Sequence, residues 1–330
     1  MLKCLPGSVL VAIALWRRKK GLYDRTTLAC FSRARRRSLS PRILLAYLLF
    51  RRDLGYPLQP RWTPILIQRL KRLGVRQRPL ALALLAECSP NGLEHVPPSF
   101  VRKDGHRLPS LAALISRHQT ADKNNWLASV EVSQGNWRRA FADYLCSKQN
   151  GGICVVGNSG RLIGDGQGSR IDDCNVVVRF NNHRSSVSRK EDIGERFDVW
   201  VGAPDFTGQV PPAIPWVIVS GPDVRYRKRS WALYQSRLEA GLPVLTVPLV
   251  VWRKLVTTTC APPSAGILFL AWLKELLGNW NNINVIGFGQ NGQKEVYHHA
   301  DPESRPSPRH NWGKEQELLE LWQSEELQIW

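Results

Sequence analysis

Acidic residues are scarce at the start of this chain. Residues 1–120 hold 23 Lys and Arg but only 5 Asp and Glu, whereas the remaining 210 residues hold 23 and 22. The formal charge of +19 is therefore almost wholly N-terminal. An acid-poor arm favours an anionic partner, such as an acidic membrane surface or an anionic polymer. A solvated helical face is the plainer alternative. Nucleic acid is disfavoured: no DNA- or RNA-binding motif occurs, and the cations alternate with Leu and Ile at helical spacing. Cysteine pairing is lacking too. Cys4, Cys30, Cys88, Cys146, Cys154, Cys174 and Cys260 contain no Cys-x-x-C and are odd in number. That argues against a zinc site and a disulfide framework, and fits a reducing compartment. The apolar run of residues 5–16 is about a dozen long, where a bilayer span needs roughly 20. No small-residue cleavage site follows it, so it reads as a buried or interfacial helix and not as a signal peptide. No internal period supports a helical repeat.

A chain of 330 residues has room for an α/β core and a smaller second region. Residues 1–120 read as a basic, mainly helical region. Helices are expected at 5–19, 42–52, 62–73 and 79–88, with a Ser/Arg-rich loop at 32–41 and a Pro/Gly-rich linker at 94–109. Two or three helices are expected over 111–149, where Trp137, Phe141 and Leu145 recur every four residues as a core stripe. Residues 121–330 then alternate short apolar runs with helical patterns. The runs at 153–156, 175–180, 197–202, 215–220, 242–247 and 283–288 read as strands. Helices are expected at 224–240 and 265–277, with a last one from 313 to about 328 anchored by Leu318, Leu321, Trp322 and Ile329. Such alternation implies an α/β fold with a mostly parallel, Rossmann-like sheet flanked by helices.

The stretch 153–182 carries the chemistry. A buried strand ends in Gly157-Asn158-Ser159-Gly160, and a second strand ends in Arg179, Asn181 and Asn182. A helix expected after the turn would offer its N-terminus to an anion, at the strand ends where such sheets bind ligands. The turn matches neither the dinucleotide fingerprint nor the P-loop; a tight turn without a ligand is the alternative. Ser264 is the expected N-cap of the helix before the 283–288 strand. Downstream lie His298, His299 and Asp301, a Pro/Ser/Arg loop, then His310 and Glu315. Metal binding by these histidines would need the loop to fold back, with no nearby Cys to help.

Read as text, four segments in order resemble the sialyltransferases, glycosyltransferase family 29. Val155 to Gly160, Leu162, Gly168, Ile171, Asp172, Val176 to Asn181, Asp192, Gly194 and Arg196 match the long sialyl motif. Pro263, Ser264, Gly266, Val285, Gly287, Phe288 and Gly289 match the short one, with Ala265 in place of a hydroxyl residue. His298-x-x-Asp301 resembles motif III, with His299 and Ala300 where aromatics are expected. His310-x4-Glu315 resembles the last motif. The likeness spans residues 150–316 and leaves the first 120 uncovered.

The resemblance implies a GT-A-like variant of the Rossmann fold. It also implies inverting transfer of a sialic acid or related 2-keto sugar acid from a CMP-linked donor, CMP-sialic acid or CMP-Kdo, to a hydroxyl of a glycan or glycolipid. His310 would be the general base, a role that suits imidazole at neutral pH. His298 would protonate or hydrogen-bond the departing phosphate, whose second pKa lies near 6. Asn158, Ser159, Gly160, Asn181, Ser264 and Gly266 would hold the donor, with Asp301, Glu315 and His299 in support. The proline-rich loop holding Arg305 and Arg309 would cover the donor as a lid. No cofactor and no metal are expected, since no Asp-x-Asp occurs. The positions that form the family's disulfide correspond to Ile153 and Trp280, and Cys154, one place off, has no evident partner. That points to the cytoplasm, with residues 1–120 available to the inner face of a membrane. Two other readings stay open: a non-catalytic basic α/β protein that binds a nucleotide, nucleic acid or membrane surface, and a different nucleotide-using enzyme such as a methyltransferase.

Overall fold

The structure is a computed structural model that describes residues 5–88, 93, 96–104, 126–182, 190–204, 206–211, 214–221, 231–288 and 307–330. Its N-terminal part is helical, in helices α1 (Gly7–Lys19), α2 (Arg25–Arg36), α3 (Pro41–Asp53), α4 (Trp62–Arg69), α5 (Arg78–Cys88) and α6 (Pro98–Asp104). Helix α2 runs through much of the expected Ser/Arg loop. The Asp24 carboxylate caps it by accepting the Thr27 N–H at 2.8 Å. Thr27, Cys30, Phe31 and Ala34 then fall on one buried face; arginine is a good helix former and does not interrupt it. Helix α6 lies in the expected linker, since a proline at the first helical position starts a helix as readily as it breaks one. Its Asp104 is buried and pairs with Arg78 at 2.9 Å. Phe31 and Phe50 meet at 4.9 Å in the core of this region.

Helix α7 (Trp126–Lys148) leads into the sheet as one continuous element; residues 105–125 lie outside the described part. The seven strands are β1 (Ile153–Val156), β2 (Val176–Phe180), β3 (Val199–Gly202), β4 (Trp216–Val219), β5 (Val244–Thr246), β6 (Ile283–Ile286) and β7 (Gln328–Ile329). They run β5-β4-β3-β2-β1-β6-β7, and every pair is parallel. Between strands lie α8 (Gly168–Asp172), α9 (Lys190–Ile193), α10 (Gln235–Glu239), α11 (Leu249–Thr259), α12 (Ala265–Leu277) and α13 (Trp312–Ser324). Alternate residues of β1 serve opposite faces. Ile153 and Val155 pack with Phe141, Leu145 and α12, while Cys154 and Val156 pack with Leu162, Ile171 and Ile193. Burial on both faces makes each strand a continuous apolar run.

The parallel sheet is as expected, and among the described strands it is parallel throughout. Two expectations change here. Helix α11 was not anticipated: its Val/Thr-rich text favours strand locally, but Val251, Trp252, Leu255 and Val256 bury a helical face. The last helix stops at Ser324, where Glu326 takes a left-handed φ of 84°, and the chain adds β7. Leu321 is consequently exposed and Ile329 packs as a strand residue. Cys154 is buried and forms no disulfide, and the neighbouring Cys174 thiol together with burial pushes its thiol up.

Candidate active site

β1 lies between β2 and β6, where the strand order reverses, and sheets of this kind bind ligands outside the carboxyl ends of such strands. The turn after β1 and the turn after β6 interlock there. Gly157 donates its N–H to Ile286 at 2.7 Å, and Ser159 donates to Gly287 at 3.0 Å. A Cβ on Gly157 would stand 2.7 Å from the Gly287 carbonyl carbon, and one on Gly287 would stand 2.6 Å from Leu162 Cδ1. Both glycines are needed for this approach. Gly287 also holds a left-handed φ of 71°.

The predicted donor residues meet at this edge, although several are partly occupied by the protein itself. Asn158 donates through Nδ2 to the Phe180 carbonyl at 3.1 Å, tying the turn to the end of β2. Ser159 is buried, and its hydroxyl caps the 3-10 turn Gly160–Leu162. That turn stands where a helix was expected, because Gly164 and Gly166 take left-handed φ values of 89° and 61° soon after. The helix-dipole argument for an anion therefore lapses at Gly157–Gly160; the exposed backbone of the turn remains. Asn181 adopts φ 46°, and its Oδ1 accepts the Ala203 N–H at 2.7 Å. Ser264 is the N-cap of α12, accepting the Ile267 N–H at 3.3 Å. Gly266 makes room for an aromatic ring: a Cβ there would lie 2.6 Å from Phe288 Cε1.

Phe288 is the residue whose role the sequence did not disclose. It stands edge-on to Phe180 at 6.2 Å and fills the space left open by Gly157 and Gly266. One ring thus sets the spacing of three strand ends and the start of α12. The signals in the text were a large aromatic between glycines and its place in the short-motif match.

His310 and Glu315 are brought to the same edge by bonds to the segment before α12. Nδ1 of His310 lies 2.8 Å from the Pro262 carbonyl. A carbonyl only accepts, so Nδ1 carries the proton and Nε2 is the basic nitrogen of the neutral ring. The ring packs edge-on against Trp312 at 5.2 Å. Asn311 caps α13 through Lys314 N–H and donates to the Thr259 carbonyl at 3.0 Å. Glu315 is buried and accepts the Ser264 N–H at 2.7 Å. Burial pushes its carboxyl up to about 7, against the pull of the Ser264 hydrogen bonds. His298, His299 and Asp301 lie outside the described residues.

The remaining long-motif residues are structural. Both oxygens of Asp172 accept from the backbone of Glu195 and Arg196, the closest bond being 2.8 Å. Gly194, at φ 67°, clears the space for that carboxylate. Arg179 is buried and donates to the carbonyls of Ile193 and Arg196 at 2.6 and 2.8 Å.

The fold is a doubly wound parallel α/β sheet, with a histidine-bearing helix start bonded to the start of α12 at its switch-point edge. Residues 132–209 match the model of glycosyltransferase family 29 (sialyltransferase). Over this segment the chain is similar to that family. Two solved structures are similar. One is a mammalian sialyltransferase, 19% identical over 54% of this chain and 68% of that one, with a TM-score of 0.41. Another is a mammalian sialyltransferase in complex with Gal-beta-1-3GalNAc-ortho-nitrophenol, 18% identical over 72% of this chain and 86% of that one, with a TM-score of 0.44. No curated protein sequence matches.

Proposed function

We propose that the protein transfers a sialic acid or related 2-keto sugar acid from a CMP-linked donor to a glycan hydroxyl, with inversion and without a metal ion. The observation that carries this is the His310 ring, locked by Pro262 with Nε2 as its base, on a loop bonded to the helix start of the short motif. Nε2 would take the acceptor hydroxyl proton as the oxygen attacks the anomeric carbon. The bond from that carbon to the CMP phosphate oxygen breaks, and His298 would supply a proton or hydrogen bond to the phosphate. Asn158, Ser159, Gly160, Asn181, Ser264 and Gly266 would hold the nucleotide, largely through backbone groups, with His299, Asp301 and Glu315 in support. Metal independence draws its support from the lack of Asp-x-Asp in the sequence. A cytoplasmic site of action draws its support from the unpatterned cysteines.

The test is CMP release from CMP-sialic acid and from CMP-Kdo, with and without EDTA. Wild type should turn over one donor in both conditions. His310→Ala should lower that rate by about 10²-fold or more while CMP still raises the melting temperature. A protein that turns over no CMP-sugar and is not stabilised by CMP is not this enzyme. Stabilisation by S-adenosylmethionine alone would favour a methyltransferase; stabilisation by neither would favour the non-catalytic binding protein.

A further inference from the structure

Helix α1 is apolar on its outer face as well as its inner one. Leu10 and Ala14 are buried, yet Val9, Leu15 and Trp16 are 40%, 46% and 57% exposed. With Ala12, also exposed, they follow helical spacing along one side. Exposed apolar residues continue past both ends of the helix. Leu22 lies just beyond its C-terminus, and Leu39, 81% exposed, lies near its N-terminus. The chain at Leu39 is brought there by Arg37, which donates to the Leu5 carbonyl, and by Arg37 and Ser38, which pack against Gly7.

Exposed cations bracket this stripe. Lys19, Lys20 and Arg25 lie at one end, Arg36 and Arg37 at the other. The few acids nearby are used elsewhere: Asp24 pairs with Arg17, and Asp53 with Arg18 and Arg52. A nucleic acid would satisfy the cations but would leave Val9, Leu15 and Leu39 in water. A bilayer with anionic headgroups takes both, the side chains entering the acyl boundary and the cations staying at headgroup level. The helix has 13 residues, about 20 Å, which suits lying in the interface and not crossing it. Among the described residues no helix is long and apolar enough to cross a membrane.

We propose that the α1–α2 hairpin docks in the interface of an anionic lipid bilayer, through the outer face of α1 and the cations at its two ends. The position of the hairpin gives the docking a consequence. The turn at Gly21, just after α1, seats against Pro308 and Arg309, where an added Cβ would lie 2.9 Å from the Arg309 nitrogen. Arg309 directly precedes His310. A bilayer that holds α1 therefore holds the His310 loop close to its surface, where an acceptor sugar on a lipid would be presented. This last step rests on the proposed transferase reading; the docking does not.

The experiment is cosedimentation of the full chain with vesicles of phosphatidylcholine alone and with about one third phosphatidylglycerol, without donor or acceptor. Wild type should bind the anionic vesicles at least tenfold more tightly, less so at high salt. The double variant Leu15→Asp/Trp16→Asp should lose tenfold or more at an unchanged melting temperature and with unchanged CMP release from the donor. Lys19→Glu/Lys20→Glu should also weaken binding, by about fivefold or more for each lysine lost. Equal binding to neutral and anionic vesicles overturns the proposal, as does vesicle binding indifferent to both variants. Loss of a dimer in the Leu15/Trp16 variant without loss of vesicle binding also overturns it, assigning the face to a second copy. So does competition by single-stranded RNA that the variant leaves intact. Vesicle binding with no CMP-sugar turnover would sink the transferase reading alone.

Discussion

Glu315 accepts the backbone N–H of Ser264 at 2.7 Å, joining the first turn of α13 to the N-cap of α12 across 51 residues of sequence. The carboxylate is buried, so this bond links the position of His310, five residues earlier, to the turn that starts α12.

Glu315 should make stability depend on pH. Its folded pKa of about 7 is raised above its ordinary 4.5, chiefly by burial. The contribution is therefore fully present below about 4.5 and is lost as pH rises through about 7, on the order of 3 kcal/mol at most. Glu315→Gln keeps an acceptor for Ser264 and should flatten this part of the stability–pH curve. Glu315→Ala leaves a buried N–H unsatisfied and should cost about 1–3 kcal/mol at any pH. Urea melts between pH 4.5 and 8 read both; a Gln variant with the wild-type pH slope would contradict the assignment.

Asn311→Ala should loosen the His310 loop. It removes the cap on α13 and the bond to the Thr259 carbonyl, about 1–2 kcal/mol of stability. The turnover rate should fall while the CMP dissociation constant stays within a few fold of wild type. A rise in that constant with unchanged turnover would place Asn311 at the donor.

Gly157→Ala and Gly287→Ala should each be severe. The first drives a methyl into the Gly287 backbone; the second adds left-handed strain to a clash with Leu162. Each should cost about 2 kcal/mol or more. The nearest atoms to an added Cβ at Gly266 belong to the Phe288 ring, so pairing Gly266→Ala with Phe288→Leu should recover part of the loss. Thermal melts of the single and double variants test that coupling.

Asp172→Asn should destabilise the turn at residues 194–196 without altering residues at the switch-point edge. Three hydrogen bonds from the Glu195 and Arg196 backbone end on this carboxylate. A loss of about 1–3 kcal/mol with nearly normal CMP binding is expected, and a selective loss of CMP binding would show that the residue serves the ligand.

Much of the fold was legible because it is encoded over short windows. Six strands stood out as apolar runs, and Ser264 as a cap before a helix, since a buried parallel strand and an N-cap each need only a few adjacent residues. Helices α2 and α6 were hidden where composition spoke louder than spacing. β7 was hidden because two residues carry no period.

The amino-acid order by itself determined the parallel α/β alternation, the acid-poor N-terminal arm and the glycine turns, all of which are local chemistry. Only the tertiary structure decided what those residues meet: Gly157 against Gly287, Gly266 against Phe288, Asp172 against Gly194, Glu315 against Ser264 and Gly21 against Arg309. Such meetings depend on strand order and on which surfaces bury each other, and no short stretch of sequence specifies them.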